Sequence, residues 1–109
     1  MAAYPKGNEV NDDSNTSGAW KQLFSTATAG RKYIEVGCNS YAGVDAFIAT
    51  KPVGSGAPAG VTEGYAHKIV YKGDKGVFIN ADANTEIWYT GAGGAGAVTI
   101  VTAREMVDR

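Results

Sequence analysis

The chain has 109 residues and a net charge of −1 at neutral pH, with no long run of either sign. This length predicts one domain with a small core, and the balanced charge argues against a nucleic-acid partner. No apolar run approaches the roughly 20 residues that span a bilayer, so no membrane partner is expected. The N-terminus has no apolar signal core, which indicates a soluble protein made in a cytoplasm.

Residues 1–18, MAAYPKGNEVNDDSNTSG, are polar and lack apolar periodicity. Such a segment buries too little surface to offset the entropy that ordering costs. We therefore predict a flexible N-terminal arm over 1–18 that orders only against a partner, followed by a single domain over 19–109. Glu9, Asp12 and Asp13 offer oxygens to calcium, but their spacing does not match a helix–loop–helix calcium loop, so no metal site is predicted.

From residue 19 onward, apolar and polar residues alternate. In GRKYIEVGCNS, Ile34, Val36 and Cys38 share one face, which is typical of a half-buried strand. About seven short strands follow from this pattern. They are predicted near residues 20–26, 31–38, 43–49, 66–71, 76–80, 85–90 and 97–105. The fold class is therefore all-β, an antiparallel β-sandwich or a jelly-roll-like barrel.

Loops and turns separate these strands. KPVGSGAPAG, residues 51–60, contains two prolines and three glycines and is predicted to be a loop. HKIVY and GVFIN flank KGDKG, which has the pattern of a tight hairpin turn. EIWYT and AVTIVTA flank a glycine-rich stretch in the same way.

That stretch, TGAGGAGAV, has glycines in the spacing G-x-G-x-x-G. The fingerprint holds a pyrophosphate only where it opens a helix, and AVTIVTA is strand-like with poor helix character. We therefore predict a flexible link between the last two strands and no cofactor. Because a bare backbone can approach another chain closely, Gly93 and Gly94 are candidate contact residues; a plain surface turn is the alternative.

No constellation of catalytic residues is recognisable. His67 is the only histidine, and it lies in a strand-like segment without a G-x-S-x-G nucleophile motif. Cys38 is the only cysteine, which excludes an internal disulfide and favours a small buried apolar side chain. The sequence therefore predicts no catalytic residue and no enzyme.

Aromatic residues are the remaining candidates for contact with a partner. Trp88 and Tyr89 are neighbours in one strand, so they point to opposite faces, and at least one leaves the core of a one-sided sheet. Coverage of both faces is the alternative. An exposed aromatic side chain often marks a binding or subunit surface. The aromatic candidates are Tyr4, Trp20, Trp88 and Tyr89.

A TAT segment at Thr26–Thr28 leads to an arginine-bearing strand from Arg31 to Asn39. An edge strand follows at 76–79, A-x-x-x-x-x-I-W covers 81–88, and V-x-I-x-x-x-x-E covers 98–105. The order of these motifs resembles that of small β-sandwich structural proteins of tailed bacteriophage particles. The resemblance covers about 85 residues, everything except the arm. The long loop at 51–60 departs from it.

The resemblance implies a capsid decoration or cement protein that is located in the virion and binds the major capsid protein or other virion proteins as a homo-oligomer. A head-fibre or tail-attached module is the near alternative. The second hypothesis is a carbohydrate-binding β-sandwich for host recognition, in which Trp88, Tyr89 or Tyr65 stacks on sugar rings. The host, the oligomer number and the position on the particle stay open.

Overall fold

A computed structural model describes residues 6–39, 43–94 and 96–107, which form eight strands in two four-stranded antiparallel sheets. The strands are β1 (Lys6–Thr16), β2 (Lys21–Leu23), β3 (Arg31–Cys38), β4 (Ala46–Pro52), β5 (Lys68–Val70), β6 (Val77–Asn80), β7 (Thr85–Gly91) and β8 (Val98–Val107). A short 3-10 helix, Glu63–Tyr65, precedes β5. Within the described ranges, no helix has the length and apolarity to cross a membrane.

Sheet A has the strand order β1-β8-β3-β6, and sheet B has the order β2-β7-β4-β5. This arrangement is the eight-stranded jelly roll, in which two sheets pack face to face. The predicted all-β sandwich is confirmed. The seven predicted strands all correspond to observed ones, although β4 begins and ends three residues later than predicted. It extends to Pro52 because the long strand β7 pairs with it as far as Thr85.

The two predicted hairpins are wrong, because both connections cross from one sheet to the other. β5 lies in sheet B and β6 in sheet A, while β7 lies in sheet B and β8 in sheet A. The KGDKG turn pairs instead with the end of β3: the Cys38 N–H donates to the Asp74 carbonyl and the Gly73 N–H to the Cys38 carbonyl, both at 2.9 Å. Turn composition predicts where a chain reverses but not which strand it then joins.

The predicted flexible arm is also wrong for residues 6–16, which form β1. This strand pairs along β8 from Lys6 opposite Met106 to Thr16 opposite Val98, with two bulges. Asp12 lies at the second bulge with φ of +50°, a conformation that aspartate tolerates better than most residues. Residues 1–5 lie outside the described part of the chain.

The core lies between the two sheets and is small and apolar. Its fully buried members include Ile34 and Val36 from β3, Ile48 from β4, Ile87 from β7 and Val101 from β8. The register puts Ile34 opposite both Ile79 and Glu105, so the inner face of sheet A carries a carboxylate within its apolar rows. The carboxylate of Glu105 and its partners are therefore the first candidates for a functional site.

Candidate interaction surface

A fully buried ion pair joins β3 to β8. Arg31 Nη1 lies 2.9 Å from Glu105 Oε2, and both side chains have no exposed surface. The remaining guanidinium groups are also paired, since Nε donates to the Ala81 carbonyl at 2.9 Å and Nη2 donates to the carbonyls of Asp82 and Thr85. Each nitrogen of the arginine side chain therefore has an acceptor: Glu105 of β8 for Nη1, and carbonyls between the end of β6 and the start of β7 for Nε and Nη2.

Glu105 also accepts hydrogen bonds from the neighbouring strand β1 and from the connection between β2 and β3. It accepts the Asn8 N–H at 2.8 Å, the Thr28 N–H at 3.1 Å and the Thr28 hydroxyl at 2.5 Å. Burial alone would raise the pKa of Glu105, but the hydrogen bonds from Thr28, Asn8 and Arg31 outweigh it and hold the pKa below its ordinary value. With every partner internal, the pair presents nothing to a ligand.

The same network explains part of the sequence pattern noted above. Thr28 of the TAT segment, Arg31, Ala81 and Glu105 stand at separate points of the motif order, and all four contribute atoms to this one cluster. These residues therefore help to hold the two sheets together.

Tyr89 is the second buried polar group. Its side chain is fully buried on the inner face of sheet B, and its hydroxyl donates a short hydrogen bond to Asp13 of β1. Burial and the neighbouring Asp13 raise the pKa of Tyr89 above its ordinary value, and Lys21 Nζ lies 3.0 Å from the other oxygen of Asp13. The prediction that Tyr89 lies at a partner surface is wrong.

Trp88 points to the opposite face, as predicted, and is half-buried. Its Nε1–H donates to Glu86 at 3.2 Å, while the Nε1–H of Trp20 donates to the Gly60 carbonyl at 2.7 Å. The connection after β4 therefore lies beside this outer face of sheet B, on which Ala49 is fully buried. Partner contact by Trp20 and Trp88 stays a prediction, and Tyr4 lies outside the described residues.

The glycine loop links the two sheets, and it leads into strand β8 at Val98, as expected. Gly93 and Gly94 are exposed. Gly93 packs beside Ala97 and Val44, whereas no atom lies within 4 Å of the position where a Gly94 side chain would start. Both residues are accessible to a partner, and their contact role stays a prediction.

The remaining sequence candidates lie apart from one another. Cys38 is buried as predicted, and burial raises the pKa of its thiol. His67 is exposed just before β5, where its Nδ1 accepts the Thr50 N–H at 2.9 Å. Glu9 and Asp12 are exposed on β1 while Asp13 faces Tyr89. Among the described residues, no group of three acidic, histidine or cysteine side chains converges on a metal-sized site.

Among the described residues, the most exposed aromatic side chain lies on the outer face of sheet A. Phe78 on the edge strand β6 is 64% exposed and packs edge-on against Tyr33, with ring centroids 5.2 Å apart. Met106 lies beside Tyr33, because the two are register partners on β8 and β3. We call these three side chains the aromatic patch. Apolar side chains of this kind are typical of protein–protein contact surfaces.

A polar groove adjoins the aromatic patch on the same face. Its two connected parts have volumes of about 260 and 290 Å³ and share Gly37, Lys75 and Thr102. Four carboxylates line it against two cations, and Arg104 pairs with Glu35 at 2.5 Å. The carboxylates are those of Glu9, Asp12, Glu35 and Asp74, and the cations are Lys75 and Arg104. The groove thus has an acidic excess of two charges, which favours a partner with basic groups.

The sequence reasoning missed the aromatic patch. The sequence does contain a signal for the exposure of Phe78. Val77 and Ile79 share one face of their strand, so Phe78 between them lies on the other face. By the same alternation Tyr33 lies on the face of β3 opposite to Ile34, but the pairing of β6 with β3 joins segments more than 40 residues apart. That pairing has no local signature.

Comparison with known proteins adds no assignment. No family model matches the chain, and searches of curated proteins and of solved structures found no match. The function is therefore inferred from the geometry of the described residues and from the resemblance noted in the sequence.

Proposed function

We propose that this chain is a structural protein of a tailed bacteriophage particle, and that it decorates the head by binding the shell through the outer face of sheet A. The observation that carries the proposal is the aromatic patch, in which Phe78 is 64% exposed and already ordered against Tyr33. Truncating such an anchor typically costs a large share of binding energy at an interface.

Two further features support a role in binding to other proteins. The eight-stranded jelly roll occurs in viral capsid domains as well as in lectins, although fold alone does not imply function. The polar groups of the core, Arg31, Glu105 and Tyr89, are committed to internal partners. These three core residues therefore have no free polar group for a partner, and the proposal rests on the surface of sheet A.

The acidic groove defines the kind of shell surface that fits. An apolar pocket would receive Phe78, and basic side chains beside that pocket would face Glu9 and Asp12 of the groove. Charges at the rim of an interface steer association and make it sensitive to salt. Binding to many equivalent sites, with association between neighbouring copies, would add avidity.

Co-sedimentation with purified heads tests the proposal. Heads of the phage that encodes the chain, stripped of decoration, are titrated with the full-length protein. We expect saturation at a fixed number of copies per head. Phe78→Asp is expected to weaken binding at least tenfold, the ratio that corresponds to roughly 1.4 kcal/mol.

Val53→Asp is the matched control, because Val53 is equally exposed at 63% but lies outside sheet A. It should bind heads like the unmodified protein. Failure of the unmodified protein to bind heads would refute the proposal, and binding to isolated tails or fibres alone would favour the tail-attached alternative.

A further inference from the structure

A cleft separate from sheet A lies beside the end of β4. It has a volume of about 450 Å³, within the range of roughly 300–1,000 Å³ that small-molecule sites occupy. Thr50, Lys51 and Pro52 line it from the strand, and Pro58, Tyr65 and His67 line it from the connection that follows. Nothing in the head-binding proposal uses these residues.

One wall of the cleft is an aromatic ring with a fixed orientation. Tyr65 packs directly on the backbone of Gly60, where an added side-chain carbon would lie only 2.8 Å from the ring atoms Cδ2 and Cζ. The Trp20 indole holds Gly60 in place by donating to its carbonyl at 2.7 Å. Tyr65 is nevertheless 46% exposed. The ring is therefore supported on one side and open to solvent elsewhere.

Hydrogen-bond donors also line the cleft. The Thr50 N–H donates to Nδ1 of His67 at 2.9 Å, which fixes the ring and places the proton of the neutral imidazole on Nε2. The Thr50 hydroxyl lies 2.9 Å from the same nitrogen, and Lys51 adds an ammonium group. Donors thus lie beside an aromatic face within one cleft.

The connection that carries Tyr65 is anchored along its length. Glu86 of β7 accepts the N–H groups of Gly54 at 2.8 Å and Gly56 at 3.0 Å. Beyond Tyr65, the His67 N–H donates to the Ile48 carbonyl at 2.8 Å and rejoins sheet B. A site that is held in place before its ligand arrives loses less entropy on binding.

We propose that this cleft binds a neutral saccharide, with one pyranose ring lying against Tyr65 and its hydroxyls accepting hydrogen bonds from His67 and Lys51. A pyranose has an apolar face of C–H groups and a rim of hydroxyls, which matches an electron-rich ring beside donors. Glu86 is the register partner of Lys51 on the adjacent strand, so a negative and a positive side chain neighbour each other there and the cleft has no net positive charge from this pair. A proline-rich peptide uses grooves lined by aromatic rings, and the cleft presents one tyrosine.

Calorimetric titration of the full-length protein tests this. The neutral probes are maltoheptaose, cellohexaose, laminarihexaose and chitohexaose. Sialyllactose serves as the acidic probe and a decaproline peptide as the peptide probe. At least one neutral oligosaccharide is expected to bind with a Kd in roughly the micromolar to millimolar range. Tyr65→Ala should weaken that binding about tenfold, whereas Tyr65→Phe, which keeps the ring, should stay within about threefold.

Two controls separate this site from the head-binding surface. Phe78→Asp should keep saccharide binding, and Tyr65→Ala should keep head binding. Amide NMR spectra confirm that each variant is folded and should show saccharide-dependent shifts at residues 50–51 and 64–67. The proposal is overturned if all four neutral probes fail to bind, if only sialyllactose or decaproline binds, or if Tyr65→Ala binds like the unmodified protein.

Discussion

Arg31 and Glu105 are each stabilising only while the other is present. Both side chains are fully buried, and removing one member of such a pair leaves an uncompensated charge in the core. Arg31→Met and Glu105→Gln test this at the residue scale. We expect Arg31→Met to lower the free energy of unfolding by about 3–5 kcal/mol, and Glu105→Gln by less, because the amide keeps some hydrogen bonds.

Chemical denaturation with urea measures both variants. The double variant Arg31→Met/Glu105→Leu is the control, since it removes both charges and leaves apolar groups in their place. It should be more stable than Arg31→Met alone. A double variant that is less stable than Arg31→Met would show that the two charges do not depend on each other, against the paired arrangement of Arg31 and Glu105.

The lowered pKa of Glu105 predicts a pH dependence of stability. In the folded protein the pKa of this carboxylate lies below its ordinary value of 4.5. Its contribution to the free energy of unfolding is therefore fully present above that pH. The contribution is lost as the pH falls through the lower folded value. The free energy of unfolding of the unmodified protein should therefore decline from about pH 4.5 downward.

The double variant Arg31→Met/Glu105→Leu lacks the carboxylate and should show a shallower decline. Glu86 also has a lowered pKa, caused chiefly by the Gly54 N–H, but this group is exposed and is present in both proteins. Equal slopes for the two proteins below pH 4.5 would contradict the role assigned to Glu105.

At the scale of elements, β1 shows what composition alone misses. The segment KGNEVNDDSNT has one apolar residue, Val10. The apolar area that it can bury is too small to offset the entropy lost when the segment becomes ordered. Its polar groups instead satisfy buried ones: the Asn8 N–H reaches Glu105, Asp13 accepts the Tyr89 hydroxyl and Asn15 Nδ2 donates to the Tyr89 carbonyl at 3.0 Å. A strand whose contribution is hydrogen bonding has no hydrophobic periodicity to reveal it.

Gly7 tests whether β1 is part of the fold. A side-chain carbon at Gly7 would lie 2.7 Å from both Cβ and Oε1 of Glu105, so Gly7→Ala should displace β1 or the carboxylate. We expect a loss of about 1–3 kcal/mol in the free energy of unfolding. The matched control is Gly94→Ala, which meets no atom within 4 Å and should change stability by less than about 0.5 kcal/mol. If the two variants were equally stable, the packing of β1 on Glu105 would be wrong.

The connection from β4 to β5 is held by Glu86, and hydrogen exchange tests this. Glu86→Ala removes the acceptor of the Gly54 and Gly56 amides, so both amides should exchange faster. The Gly73 amide, bonded to the Cys38 carbonyl at 2.9 Å, is an internal control that should keep its protection. Unchanged exchange at Gly54 and Gly56 would show that the loop is ordered by other contacts.

The sequence predicts a strand well where apolar and polar residues alternate strongly. It predicts poorly which strands pair with one another. The predicted bounds of β3 match the observed ones because its buried residues Ile34, Val36 and Cys38 recur with a period of two. The two connections taken for hairpins carry ordinary turn residues, and their crossing between sheets depends on contacts with distant segments. For the same reason Tyr33, Phe78 and Met106 meet only once three strands are paired.

At the scale of the whole molecule, the two sheets offer different chemistry. The outer face of sheet A combines the aromatic patch with an acidic groove, while the outer side of sheet B carries an anchored loop and a cleft with one aromatic wall. A protein that attaches through one side and leaves the other facing solvent could bind a shell and a saccharide together. Heads carrying the protein should then retain the saccharide affinity of the free protein.

The most direct test of head decoration is an image of the protein on the shell. Heads saturated with the full-length protein are reconstructed by electron cryo-microscopy to a resolution at which strands separate. We expect one eight-stranded sandwich at each of a set of equivalent shell positions, with Phe78 and the groove of sheet A against the shell. Heads without added density, or a sandwich that meets the shell through the cleft beside Tyr65, would contradict it.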